Sequence, residues 1–125
     1  MRRSARHYLV AMGLATAGVW WFRPLVRVEV TGDSMAPALL AGDRLLVVRA
    51  RRVRPGAIVT VADPRAPART MVKRVAAVGP EGVTVLGDNA GASTDSRTLG
   101  PLPPATVRGR AVYRYLPENR RGPVA

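Results

Sequence analysis

Apolar and polar positions alternate from Val26 onward. Val26, Val28 and Val30 enclose Arg27 and Glu29, the two-residue period of a strand with one buried face. Runs rich in valine predict further strands over Arg44–Val48, Ala57–Val61, Thr70–Val78, Val83–Leu86 and Val107–Tyr115. Pro55-Gly56, Asp63-Pro64, Gly79-Pro80-Glu81-Gly82 and the Gly100–Pro104 stretch divide them, as turn formers do. Short strands at this spacing predict a mostly β domain, a small coiled sheet or barrel. Ahead of them the pattern is different: Tyr8 to Phe22 carries no charge and Arg23-Pro24 ends it, which predicts one hydrophobic helix.

That helix is short for a bilayer, which takes roughly 20 apolar residues, unless flanking arginines snorkel and the bilayer thins. Tyr8 and Trp20-Trp21 sit where interfacial aromatics belong. A cleaved secretory signal ending at Ala15-Thr16-Ala17 is the competing account; continuation of the run into the Trp pair favours a retained anchor. Arg2, Arg3 and Arg6 precede the run and Arg23 and Arg27 follow it. This excess orients the N-terminus inward, giving a single-pass protein of the cell membrane with its folded part on the exported face. The expected organisation is a basic segment and anchor over 1–25, one domain over 26–118 and a basic tail over 119–125.

Composition narrows the chemistry. With 125 residues, 47% of them hydrophobic, the chain holds one small core. A net charge of +12 suits an anionic partner, and Arg49, Arg51, Arg52 and Arg54 form the densest basic stretch. Lipid head groups fit this stretch, at about 1 kcal/mol per arginine near the surface; a solvated loop is the plain alternative. No interleaved aromatics accompany it for base stacking, so nucleic acid is not expected. Cysteine is absent and the one histidine, His7, lies beside the apolar run. Disulfides, thiolate nucleophiles and a Ser-His-Asp triad are thereby disfavoured, and neither a metal nor a cofactor is expected.

Of twenty basic side chains only Lys73 is lysine. Arginine supplies charge as well as lysine does, but it does not release its proton, so it cannot serve as a general base. Alternation along Thr70–Ala77 sets Lys73 in a row with Met71, Val75 and Ala77 and turns Arg74 toward solvent. An ammonium in an apolar row loses its proton more readily, and a neutral amine can activate a hydroxyl. The candidate hydroxyl is Ser34, in the turn Gly32-Asp33-Ser34-Met35-Ala36-Pro37. Each residue alone has a plain reading, a surface lysine and a polar turn residue.

Gly32-Asp33-Ser34, Gly42-Asp43, Lys73-Arg74 and Gly87-Asp88-Asn89 followed by Ser93-Thr94-Asp95-Ser96-Arg97 together resemble the type I signal peptidase family, including its short mitochondrial inner-membrane relatives. The resemblance implies Ser34 as nucleophile, Lys73 as general base, Ser93 as the hydroxyl orienting the lysine, and Asp95 with Arg97 as a supporting ion pair. Gly32 stands where many bacterial members carry a serine, which leaves the oxyanion hole to backbone amides of the Gly32–Ser34 turn. Met35 and Pro37 of that turn are the expected substrate-binding residues.

The expected function is a membrane-anchored serine endopeptidase that cuts N-terminal signal or leader peptides from exported precursors through an acyl-enzyme. Alternatives are a maturation peptidase with one client precursor and a non-catalytic basic β-domain that binds membrane or nucleic acid.

Overall fold

The computed structural model describes residues 25–50 and 52–124. Seven strands carry the fold: β1 (Leu25–Glu29), β2 (Arg44–Arg49), β3 (Ile58–Asp63), β4 (Ala66–Gly79), β5 (Gly82–Leu86), β6 (Val107–Leu116) and β7 (Gly122–Pro123). One short helix, α1 (Ser96–Leu99), follows β5. The strands form a single antiparallel sheet in the order β1-β2-β6-β3-β4-β5, with β7 also paired to β6. The domain is mostly β, as the alternation implied. Among the described residues no helix is long and apolar enough to cross a membrane, and the predicted helix over Tyr8–Phe22 lies outside the described residues.

Register shifts interrupt β2 against β6, β3 against β6 and β4 against β5. Such bulges bend a strand and sharpen its twist, and the sheet coils until β1 and the start of β4 border the same cleft. At one bulge, between Val75 and Ala77, the alternation of β4 ends. Val75 is buried, whereas Ala77 faces solvent rather than sharing the lysine's row.

Two apolar clusters fill the coil. Val30, Met35, Leu39, Leu45, Val47, Ile58 and Ala111 form the first, beneath the loop that carries Ser34. Val59, Val61, Val75, Val83, Val85, Leu102 and Val107 form the second, beneath β4 and β5. Full burial of each such aliphatic side chain contributes about 1.5–3 kcal/mol, so Met35 and Leu39 fasten both ends of the serine loop to the core.

A buried carboxylate secures the far end of that loop. Asp43, 1% exposed, accepts from the Leu40 amide at 2.9 Å, from Arg114 at 3.1 Å and from both terminal nitrogens of Arg120, at 2.7 and 3.0 Å. Arg114 also donates to the Ala38 carbonyl at 3.1 Å. Within residues 119–124, expected as a tail, Gly122 pairs with Arg114 and Pro123 with Tyr113 of β6.

Candidate active site

Ser34 lies in the turn after β1, part-buried, directly before the buried Met35. Gly32 adopts φ +75°, a left-handed conformation that a residue with a Cβ rarely takes. The backbone therefore accounts for glycine at this position. Lys73, on β4, is 4% exposed. Both side chains line one cleft of about 180 Å³, bounded by residues 29–35 on one side and by Arg65 and residues 69–73 on the other, with Ala92 and Thr94.

The lysine is held from behind. Its Nζ donates to Ser93 Oγ at 3.0 Å, and Ser93 Oγ in turn donates to Asp95 Oδ2 at 2.6 Å. Asp95 is fully buried. The Gly87 amide meets Asp95 Oδ2 at 2.8 Å, while the Arg97 amide and Nε meet Oδ1 at 3.0 and 3.2 Å. The Arg97 guanidinium also contacts Oδ2 at 3.1 Å and reaches the Gly87 carbonyl at 2.9 Å. Asp95 caps the N-terminus of α1 through the same Arg97 amide, so helix and ion pair hold one carboxylate in one orientation.

Electrostatics follow from this geometry. Burial pushes the Lys73 ammonium below its ordinary value; Asp95 opposes the shift, and the positive charges of Arg97, Arg65 and Arg69 reinforce it. For Asp95 burial acts to raise the carboxyl, but hydrogen bonds from Ser93, Gly87 and Arg97 and the Arg97 charge outweigh it and hold it low. An anionic Asp95 can only accept, so the Ser93 proton points at it. Ser93 then offers its lone pairs to an N–H of Lys73. A neutral amine so engaged keeps its own lone pair free to accept a proton.

Gly87-Asp88-Asn89 does more than turn the chain. The Asn89 amide donates to the Ser34 carbonyl at 2.9 Å and its side-chain nitrogen to the Asp33 carbonyl at 3.1 Å. Asp88 receives Arg74 in a two-pronged pair, 2.9 Å at each prong, and Arg74 also reaches the Gly56 carbonyl at 2.9 Å. Arg74 is thus a clamp rather than a freely solvated residue. At Gly87 a Cβ would overlap the Ser93 side chain and stand 2.6 Å from the Ser34 carbonyl oxygen. One tripeptide therefore touches the serine loop, the lysine strand and the orienting hydroxyl.

Sequence reasoning identified the members of this loop but missed these three contacts, as well as the cationic pair Arg65 and Arg69 on the rim. A basic residue adjoining the lysine and an acidic one in the next loop were the available signals. Met35 is buried in the core and also borders the cleft, whereas Pro37 is exposed and lies outside the cleft lining. Arg49, Arg52 and Arg54 are exposed; Arg51 lies outside the described residues.

The profile of the family described as signal peptidase, peptidase S26, matches residues 1–85 and 80–116. The chain belongs to the type I signal peptidase family. It is 36% identical over 121 residues to the mitochondrial ATP-independent inner membrane protease subunit 1a of Arabidopsis thaliana, covering 75% of this chain and 72% of that protein. Identity to the mitochondrial inner membrane protease subunit 1 of Xenopus tropicalis is 32% over 120 residues, with 75% and 71% covered. A shorter match, 44% over 59 residues, joins it to the chloroplastic thylakoidal processing peptidase 1 of Arabidopsis thaliana, covering 37% of this chain and 17% of that one. The chain is a peptidase of this family. The relatives' names place them in mitochondria and chloroplasts, which leaves the single-pass cell-membrane placement without support; an apolar run reports affinity for lipid and carries no information on which bilayer receives it.

Proposed function

We propose that this chain removes N-terminal leader peptides from precursor proteins at a membrane, with Ser34 as nucleophile and Lys73 as general base. The observation that carries the reading is a nearly fully buried lysine that borders the same cleft as Ser34, while its hydrogen bond goes to a hydroxyl already committed to Asp95. An amine so placed favours the neutral form that a serine requires.

In the proposed cycle Ser34 Oγ attacks the scissile carbonyl carbon as its proton passes to Lys73 Nζ. The carbonyl oxygen becomes an oxyanion, taken by the Ser34 amide and a second backbone amide of the Gly32–Ser34 turn. Collapse breaks the C–N bond, and the leaving amine takes the proton from Lys73. An ester to Ser34 remains. Water then loses a proton to the same amine and attacks the ester, and Ser34 Oγ recovers that proton as the acid departs. Ser93 positions Lys73, and Asp95 with Arg97 positions Ser93.

The substrate would lie extended between two free strand edges. Among the described residues β1 ends the sheet, and Thr70–Lys73 of β4 pair with β3 on one side and with no strand on the other, since β5 begins its pairing at Arg74. Unpaired edges add a strand readily. A cleft of about 180 Å³ suits small side chains, which fits alanine-like residues at the first and third positions before the cut. The residues ahead of β1 would hold the peptidase domain at the bilayer, with Arg51, Arg52 and Arg54 meeting anionic head groups.

Mass spectrometry of the purified chain incubated with an Ala-x-Ala precursor should capture an acyl adduct on Ser34. Ser34→Ala and Lys73→Arg should each remove cleavage; undiminished cleavage by either variant overturns the assignment.

A further inference from the structure

A second groove, of about 710 Å³, adjoins the cleft. Its lining includes Val26 and Val28 of β1, Val47 of β2 and Val107 of β6, with Arg49 and Arg108 among them. Thr70 borders both cavities. Along β1 the cleft takes Glu29 and the residues after it, whereas the groove takes Val26 and Val28. Walking back along one strand therefore leads from the serine to the groove without leaving the substrate track.

We infer that this groove is a distal subsite of the peptidase, which binds the part of an extended precursor lying about four to six residues from the cut, at about 3.3 Å per residue. The inference rests on the proposed leader peptidase reading and adds to it a second determinant of substrate choice.

Size supports an extended peptide as occupant. Sites for small ligands run from about 300 to 1,000 Å³, so the cleft alone is too small to hold more than the residues flanking the cut, and the groove is large enough for several more. Its character differs too. Val26 is 55% exposed although it belongs to the alternating apolar row, which is the burial a docked chain would complete. Arg27, of opposite parity, points away and lies over the Tyr115 ring at 5.9 Å. Neither Arg49 nor Arg108 meets a carboxylate among the described residues; Arg108 donates to the Pro67 carbonyl at 2.7 Å and to Thr70 at 3.4 Å. The occupant is accordingly an apolar stretch free of basic side chains, and an acidic residue within it would pair with Arg49. Continuity with the cleft favours precursor over lipid as that occupant.

The test uses the full chain in detergent and three synthetic peptides: a core peptide spanning four residues about the cut, and the same core extended by six mostly apolar residues on one side or on the other. One of the two extended peptides should be cleaved with a kcat/KM about tenfold or more above the core, chiefly through KM. Val26→Glu should bring that peptide down to the core's level, and Arg49→Glu should do so for a version carrying an acidic residue. Equal kcat/KM for all three peptides with the unaltered enzyme overturns the distal subsite. Loss of binding to phosphatidylglycerol vesicles in Val26→Glu, with the peptide preference intact, also overturns it and assigns the groove to lipid. Absence of any cleavage on Ser34 is a separate result, which would remove the peptidase reading itself.

Discussion

Of the three buried carboxylates among the described residues, Asp43 and Asp95 brace the two loops of the site, and they end differently. Asp43 is closed by two guanidinium groups, Arg114 and Arg120. Asp95 has one, Arg97, and gives its other face to Ser93, which leads to Lys73. Arginine keeps its proton, so the cations that close Asp43 are fixed and the first network serves as a bolt. A chain that ends in lysine can change protonation, so the second has two states. Exchange of either carboxylate for its amide separates these roles. Asp43→Asn should cost about 3–5 kcal/mol of stability, the effect of stripping one partner from a buried ion cluster, with kcat/KM of the folded fraction nearly unaltered. Asp95→Asn should lower kcat/KM about 10³-fold as well as the melting temperature. Equal catalytic loss in both variants would erase the distinction.

Gly87 sharpens the contrast, because it is hydrogen-bonded into the second network and lies close against the Ser34 carbonyl of the serine loop. Gly87→Ala should lower kcat by about 10²-fold, the scale of a small misplacement of reacting groups, since either Ser93 or the Ser34 backbone must yield. The Asp43 bolt lies elsewhere, so thermal unfolding should fall by less than in Asp43→Asn. Steady-state kinetics beside calorimetry reads both at once.

Much of this was written in the sequence at short range. Alternation located β1 and valine-rich runs located β2 to β6, of which β3 is buried on both faces, and Lys73 could be placed among Met71 and Val75 by parity alone. Parity failed at Ala77, where a bulge ends the alternation, and bulges depend on a partner strand that no local pattern specifies. The start of β4 at Ala66 was hidden by Pro67, which is tolerated at a strand edge that has no partner on its far side among the described residues. The roles of Asn89, Asp88 and Gly87 were invisible for a related reason. Each acts on a residue far away in the chain, Asn89 on Asp33 being the clearest case, and turn chemistry says nothing of what a turn will touch.

The lysine network should also respond to pH. Lys73 is held below its ordinary value of 10.5, so activity should rise with pH through that depressed pKa, as the neutral amine appears. Arg69→Gln removes a charge that depresses it, and the rise should move to higher pH. Stability follows the same sign: between the folded and unfolded pKa of Lys73 the unfolded chain binds more protons, so stability grows as pH increases through that window. Lys73→Met should abolish this slope and stabilise the fold by about 1–2 kcal/mol, the low end for apolar replacement of buried ions, because Ser93 keeps Asp95 as acceptor. Urea titrations at several pH values test it; a destabilised Met variant would mean that the ammonium is needed to hold Ser93.

The smallest effect belongs to the surface clamp. Arg74 and Asp88 form a well-shaped pair, yet both lie at the surface, with side chains 28% and 21% exposed, and exposed pairs contribute about 0–1 kcal/mol. Asp88→Asn should therefore leave the melting temperature within a few degrees. What the clamp adds is direction, since Arg74 adjoins Lys73 in β4 and Asp88 adjoins Asn89, whose amide holds the Ser34 carbonyl. Loosening it should cost a few-fold in kcat with KM unmoved, and high salt should mimic the substitution in the unaltered enzyme by screening the pair. If salt slows both enzymes equally, the clamp does not couple the lysine strand to the serine loop, and positioning at that side falls to Asn89 alone.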